Sequence, residues 1–241
     1  MVIYGSAKVE WITYSTVFLM VNTCIVCYIV AVGLGHVPAW LPMISDCAVQ
    51  SPEKYMFRVG VISGATCLLA NMVMVYNAFP DFYFRKCTLA LAVLAAVGMS
   101  ICGAVDEKEN PAVHDVGALL FFACYDLVVI ILSLDASWSE KISPSSIRVK
   151  LAFAILAIVV PVIAIILSYY PKHRSYLALC EWFGAFGFAF FTLTFAQDFD
   201  TVDLVEEKCP DFERVLSKPN SSQCVYTQST SQQHSTSDST F

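Results

Sequence analysis

Residues 151–169 read LAFAILAIVVPVIAIILSY, an uncharged run that is apolar along almost its whole length. An α-helix rises about 1.5 Å per residue, so about 20 apolar residues cross the roughly 30 Å hydrocarbon core of a bilayer. The run therefore has the length and composition of a transmembrane helix. Pro161 inside it predicts a kink, because membrane helices tolerate proline without ending there.

Five further apolar runs lie on both sides of this one, separated by polar or charged stretches. The ten-residue alternation that is typical of membrane β-strands is absent from the sequence. The predicted fold class is therefore all-α, a polytopic membrane protein in which residues 1–200 form a bundle of six transmembrane helices. The predicted spans are residues 14–35, 59–79, 87–105, 113–134, 150–169 and 177–196.

The composition excludes an ordinary soluble protein. Of the 241 residues, 57% are hydrophobic and only 14% are charged, and the mean hydropathy is +0.65. Six long apolar helices in a chain of this length would leave too little polar surface to cover them in water. Most of the chain must face lipid or other apolar helices, which leaves no room for a separate soluble domain.

The acidity of the chain is concentrated near its C-terminus. The net charge is −6, and eight acidic but only three basic residues lie from Gln197 onward. Residues 201–241 are first acidic and then rich in Ser, Thr and Gln, a composition that predicts a disordered tail. An acidic tail argues against a nucleic-acid-binding face, so no nucleic-acid partner is expected.

The distribution of basic residues predicts the orientation. Arg85, Lys86 and the stretch 141–150 lie between spans on the same side as both termini, and cytosolic loops carry an excess of such residues. Both termini are therefore predicted to be cytosolic. Asn220 begins a glycosylation sequon, but a cytosolic tail would never meet the transferase.

Several polar residues lie where the spans meet the predicted outer face. Carboxylates and an imidazole are the ingredients of a metal site or a general acid/base pair. No spacing such as His-Glu-x-x-His joins them, so neither a catalytic residue nor a metal or cofactor is predicted. The alternative is that they cap helix ends and tie the first external loop to the fourth and sixth spans. This outer-face polar cluster comprises Asp46, Glu53, His114, Asp115, Glu181 and Trp182.

Two polar residues lie deeper in the predicted membrane. Asp126 falls midway along the fourth span, where a carboxylate is costly unless it is protonated or paired. We expect it to face the bundle interior and to bond to Asn71 or to a hydroxyl such as that of Thr192. A structural polar clamp and proton coupling are both compatible with this position.

Cysteines near the outer face predict one covalent link. Cys47 in the first loop and Cys180 at the start of the sixth span would both face an oxidising compartment. A Cys47–Cys180 disulfide would fasten the loop to that span. Farther along the sixth span, Gly184 and Gly187 form a small-residue surface that predicts close packing within the bundle.

Five short motifs lie in order near the span boundaries: Leu41-Pro-Met-Ile-Ser-Asp46, Ser51-Pro-Glu53, Ala112-Val-His114, Leu179-Cys-Glu181-Trp182 and Asp198-Phe199. Their order resembles a known family, the damage-regulated autophagy modulator (DRAM), Frag and Sfk-type six-span membrane proteins. The resemblance covers about residues 10–200. It implies six helices, cytosolic termini, residence in lysosomal, endosomal or plasma membrane, and a role in modulating autophagy, cell survival or phosphoinositide-kinase recruitment. No catalytic residue carries over from the family.

The functional prediction is a non-enzymatic membrane regulator or scaffold. Two alternatives stay open: a lipid-active membrane enzyme that uses the outer-face polar cluster, and a small transporter built around Asp126. The expected partners are membrane lipids and, through the tail, kinases or PDZ domains. Ser239 and Phe241 match the C-terminal pattern that PDZ domains read as an added strand.

Overall fold

The structure is a computed structural model that describes residues 6–169 and 174–199. All six long helices in these ranges are long and apolar enough to cross a membrane, and the described residues contain no strand. The predicted all-α, six-span fold is confirmed. The predicted tail, Asn220, Ser239 and Phe241 lie outside the described residues. The helices are α1 (Ser6–Gly33), α2 (Glu53–Ala78), α3 (Arg85–Ala104), α4 (Pro111–Trp138), α5 (Pro144–Ser168) and α6 (Arg174–Phe199).

The six helices pack in chain order into a closed ring. Each helix contacts the one before and after it in sequence, and α6 closes the ring against α1. Consecutive helices alternate in direction, so the long 34–52 loop and the 105–110 loop lie at the same end of the bundle. We call this end the loop face. The α2–α3 and α4–α5 turns lie at the opposite face.

Side-chain caps decide where α4 and α5 begin. The Asn110 side chain accepts a hydrogen bond from the backbone N–H of Val113 at 3.3 Å, and the Ser143 side chain accepts one from Ser146 at 3.3 Å. A proline follows each cap at the first helical position, where its missing N–H costs nothing. As a result α5 starts at Pro144, earlier than the predicted span.

The helix α2 also begins earlier than the predicted span, at Glu53 instead of residue 59. The charged side chains of Lys54 and Arg58 had indicated a loop. Both lie within the first turns of α2 and form ion pairs with the 105–110 loop, so their charges do not interrupt the helix.

The bundle core is formed mainly by aromatic and small side chains. Near the opposite face, Phe79 stacks on Phe82 and on Phe199, with ring centroids 4.8 Å and 6.2 Å apart. In contrast, only 11% of the residues in the most apolar stretch of α5 are buried within the protein. Helix α5 therefore presents most of its surface to lipid and contacts only α4 and α6.

Candidate functional site

Glu181 holds the 34–52 loop to the first turns of α6. Its carboxylate accepts hydrogen bonds from the backbone N–H groups of Ile44 at 2.8 Å and Ser45 at 3.3 Å. The next residue, Trp182, donates its indole N–H to the carbonyl of Pro42 at 2.8 Å. Three backbone groups of the loop thus bind two adjacent side chains of one helix. We call this arrangement the loop latch.

A second contact joins the same loop to the 105–110 loop and to α6. Arg174 donates to the Asp46 carboxylate at 2.6 Å and lies 3.8 Å from the Glu107 carboxylate. Burial alone would raise the pKa of Asp46, but hydrogen bonds from Glu107 and Arg174 outweigh it and lower that pKa. Burial, together with the hydrogen bond to Asp46 and its negative charge, raises the pKa of Glu107 to about 6.

A third contact joins the start of α2 to the 105–110 loop. Lys54 lies 2.6 Å from the Asp106 carboxylate and 2.7 Å from that of Glu109, and Arg58 pairs with Glu109 as well. Burial is the largest single effect and would raise the pKa of Asp106, but the hydrogen bonds from Lys54 and from the backbone N–H groups of Lys108 and Glu109 together lower it. These ion pairs fasten the start of α2 to the 105–110 loop.

The predicted outer-face polar cluster therefore lies on the loop face but divides among separate partners. Glu53 pairs with the His36 ring, and its remaining oxygen is buried without a hydrogen bond. The Nδ1 atom of His114 lies 2.8 Å from the carbonyl oxygen of Val105. Asp115 is exposed near the start of α4. Within residues 6–169 and 174–199, no three His, Cys, Asp or Glu side chains come together as a metal site.

The predicted Cys47–Cys180 disulfide is wrong for this structure, since both residues are free thiols. Cys47 belongs to the 34–52 loop and is fully buried, with the acidic groups of Asp46 and Glu181 close to its thiol. Burial is the largest cause that raises the pKa of Cys47, to about 12. Cys180 instead lines a cavity on the other side of α6. The loop latch replaces the predicted covalent link.

That cavity lies between α4, α5 and α6 and has a volume of about 420 Å³. Glu107, His114, Asp115 and Glu181 line its loop-face end, and apolar side chains from the three helices line the rest. Asp126 reaches it from midway along α4. Gly184 and Gly187 line the cavity and also pack closely within the bundle, as predicted. A Cβ at Gly184 would lie 3.0 Å from the Phe122 ring of α4, and one at Gly187 would lie 3.1 Å from Leu156 of α5.

The predicted partners of Asp126 are wrong. Asn71 is fully buried and donates to the Thr13 hydroxyl at 2.5 Å, while Thr192 shares a hydrogen bond of 2.7 Å with the Tyr125 hydroxyl. Among the described residues Asp126 has no hydrogen-bond or ion-pair partner. It faces the cavity formed with α5 and α6, whereas Asn71 holds α2 to α1.

Residues 8–202 match the family described as the Frag1/DRAM/Sfk1/Cwh43P N-terminal domain. The chain belongs to this family. It is 34% identical to DNA damage-regulated autophagy modulator protein 1 of Mus musculus over 206 residues, covering 75% of this chain and 86% of that protein. It is 24% identical to modulator protein 2 of Homo sapiens, covering 83% and 84% of the two chains.

A further relative of this DRAM-family chain is the modulator of macroautophagy TMEM150B of Bos taurus, which is 29% identical over 67% of this chain and 72% of its own length. No solved structure matches the chain. The relatives are named autophagy modulators and not enzymes, which supports a membrane autophagy-modulator role for this DRAM-family member.

Sequence reasoning missed one charged pair in this DRAM-family protein. Lys150 is fully buried, and its ammonium lies 2.6 Å from the Asp198 carboxylate and 2.5 Å from the Thr194 hydroxyl. It also lies 4.1 Å from the centroid of the Phe195 ring. The signal was the Ser143–Pro144 helix start, which places Lys150 inside α5 and not in the preceding turn.

Proposed function

We propose that this protein is a non-enzymatic, multi-pass membrane regulator of autophagy that acts through its loop face and its tail. The observation that carries the proposal is the loop latch. Glu181 and Trp182 of α6 bind backbone groups of the first loop, and Arg174 of α6 binds the loop's Asp46, so these contacts shape a fixed surface at the loop face. A surface of this kind suits recognition by another membrane component. The names of the relatives indicate that the regulated process is autophagy.

The contrasting function is a lipid-active enzyme at the loop-face end of the cavity. His114 and Asp115 both line that end and are neighbours on α4, so they are the pair that such an enzyme would use. General acid/base catalysis by positioned side chains contributes about 10²–10⁴-fold in rate. An enzyme would therefore lose nearly all its effect when both groups are changed, whereas a regulator built on the loop latch would not.

The test is autophagic flux in cells that lack the protein and re-express it at matched levels. Wild-type protein should restore the flux of those cells, and the double variant His114→Gln/Asp115→Asn should restore it to the same extent. Glu181→Ala, which breaks the loop latch, should restore less. Loss of function in the double variant, at normal abundance and thermal stability, would support the enzyme and overturn the proposal.

The compartment and orientation belong to the same proposal. The family resemblance supports lysosomal, endosomal or plasma membrane, and the basic turns that follow α2 and α4 support cytosolic termini. With that orientation the expressed protein should carry no glycan on Asn220. A glycosidase-sensitive mass shift that Asn220→Gln abolishes would place the tail on the other side of the membrane.

Tail partners are a further part of the proposal. The Ser239 hydroxyl, the Phe241 side chain and a free carboxylate are the features that a PDZ domain binds, and the hydroxyl-rich tail suits kinases. A tail peptide should be captured by a PDZ panel as the free acid. The C-terminal amide and the Phe241→Ala peptide should lose that capture, and equal capture of all three would exclude this partner class.

A further inference from the structure

The cavity between α4, α5 and α6 is lined by large apolar side chains and by several small residues of the three helices. Because α5 contacts only α4 and α6, no other helix fills the space behind it. Its volume of about 420 Å³ lies within the range of small-molecule sites, which is about 300–1,000 Å³. The small residues that line it are Ala118, Ala123, Ala157, Ala164, Gly184 and Gly187.

Asp126 is the distinctive group of this cavity. A carboxylate midway through a membrane is costly unless it is neutral or paired, and groups of this kind mark functional sites. Two fully buried acids of the bundle have partners: Asp198 pairs with Lys150, and Asp135 accepts from the backbone N–H of Phe84 at 3.1 Å. Asp126 has none among residues 6–169 and 174–199, and it is directed into the cavity.

The charge of the lining selects the sign of a ligand. Four acidic side chains line the cavity, three at the loop-face end and Asp126, and within residues 6–169 and 174–199 no Lys or Arg lines it. An anionic lipid headgroup or a fatty-acid carboxylate would meet mainly like charge. A cation is the complementary group.

The geometry also places that cation at the end of the cavity that is farther from the loop face, which we call the deep end. At the loop-face end, the Glu181 carboxylate already binds two backbone amides and Glu107 binds Asp46, while Asp115 is exposed. Among the described residues, Asp126 is the lining acid that is without a partner and away from the loop face. It lies eleven residues along α4 from Asp115, about 16 Å of helix, and the lining between these two residues is apolar.

A second acceptor lies on α5. Pro161 has no N–H, so the carbonyl of Ala157 receives no helical hydrogen bond from position 161. Both residues line the cavity. Since α5 runs antiparallel to α4, Ala157 lies toward the deep end, on the side of the cavity opposite α4.

We propose that this cavity binds a lipophilic amine, with its ammonium paired to Asp126 and its single apolar chain extended along α4 toward the loop face. The autophagy role neither requires nor assigns this site, so the two proposals stand or fall separately. An alkyl amine is protonated at neutral pH, as a lysine side chain is. Its ammonium group is therefore complementary to Asp126, and its alkyl chain is complementary to the apolar side chains of the lining.

The test measures saturable binding of radiolabelled tetradecylamine to the purified full-length protein in lipid nanodiscs. Unlabelled tetradecylamine should displace the label, whereas tetradecanol and tetradecanoic acid at equal concentration should not. Asp126→Asn keeps the shape of the side chain and removes its charge, so it should weaken binding at least about ten-fold while the melting temperature stays unchanged.

Two further variants separate the site from nonspecific partition into lipid. Ala164→Phe fills the cavity and should abolish saturable binding, whereas Ala152→Phe adds the same ring on the exposed face of α5 and should leave it intact. The proposal is overturned by equal displacement by the alcohol, by undiminished binding to Asp126→Asn or Ala164→Phe, or by the absence of saturable binding to wild-type protein.

Discussion

Glu107 makes the loop face sensitive to pH. Below its pKa of about 6 the carboxyl is neutral and donates a hydrogen bond to the Asp46 carboxylate, and above it two negative charges face each other across Arg174. The pKa is raised from 4.5, so between these values the folded state binds more protons than the unfolded state. Stability must therefore fall as the pH rises through this window.

We expect the melting temperature of wild-type protein in detergent to decrease between pH 4.5 and pH 6.5 relative to that of Glu107→Gln. The variant donates to Asp46 at every pH and lacks the titrating group. The effect should be about 1 kcal/mol or less, because Glu107 is partly exposed. Glu140→Gln, an exposed carboxyl at the opposite face, is the control and should follow wild type. Parallel curves for wild type and Glu107→Gln would contradict this.

The buried pair of Lys150 and Asp198 should be costly to break on one side only. Lys150→Met keeps much of the apolar stem but removes the cation that faces Asp198, and loss of one partner from a buried pair costs about 3–5 kcal/mol. Replacement of both groups, as Lys150→Met/Asp198→Leu, should recover most of that loss. Thermal unfolding in detergent measures both, and a double variant no more stable than the single one would argue against this account.

At the scale of elements, α3 and α4 approach so closely that their backbones are in contact. A side chain at Gly98 would begin 2.6 Å from the backbone nitrogen of Phe121 and 2.7 Å from the carbonyl oxygen of Gly117. Gly117 in turn lies against the backbone of Cys102. Neither helix can yield without moving as a whole, so these glycines set the distance between the two helices.

Gly98→Ala should therefore destabilise the bundle by about 1–3 kcal/mol, although alanine favours a helix over glycine by about 1 kcal/mol. Gly33 is the matched control, because no atom lies within 4 Å of a side chain added there. Gly33→Ala should be neutral or slightly stabilising. A melting temperature for Gly98→Ala at or above that of wild type would show that the helices are not packed this tightly.

Apolar length predicted the six helices, but it did not predict their ends. At α2 and α5 the charged residues Lys54, Arg58 and Lys150 suggested loops. Each is helical because a partner from another element neutralises it, and such a partner is invisible along one stretch of chain. The Ser143 cap was a local signal that could have corrected α5.

At the scale of the whole molecule, the sequence placed the polar residues on the correct face but not in the correct pairs. Glu181 bonds to residues more than a hundred positions away, and Asp46 does the same with Arg174. Such pairs depend on which helices close the ring. The cavity was not predicted, since Gly184 and Gly187 indicated close packing, which they make against Phe122 and Leu156, but not the space left beside these contacts.

The account rests most on the loop latch, by which α6 gives the loop face a fixed shape. Hydrogen exchange of the amides of Ile44 and Ser45, measured by mass spectrometry on the protein in nanodiscs, tests it most directly. Both amides should be protected in wild type, where each binds its own carboxylate oxygen, whereas Glu181→Gln has one carboxamide oxygen and should keep only one of the two protected. In Glu181→Ala they should exchange about 5- to 100-fold faster, since each lost hydrogen bond costs about 1–3 kcal/mol, while Glu109→Ala leaves them unchanged. Amides that exchange freely in wild type, or equally in wild type and Glu181→Ala, would contradict the account.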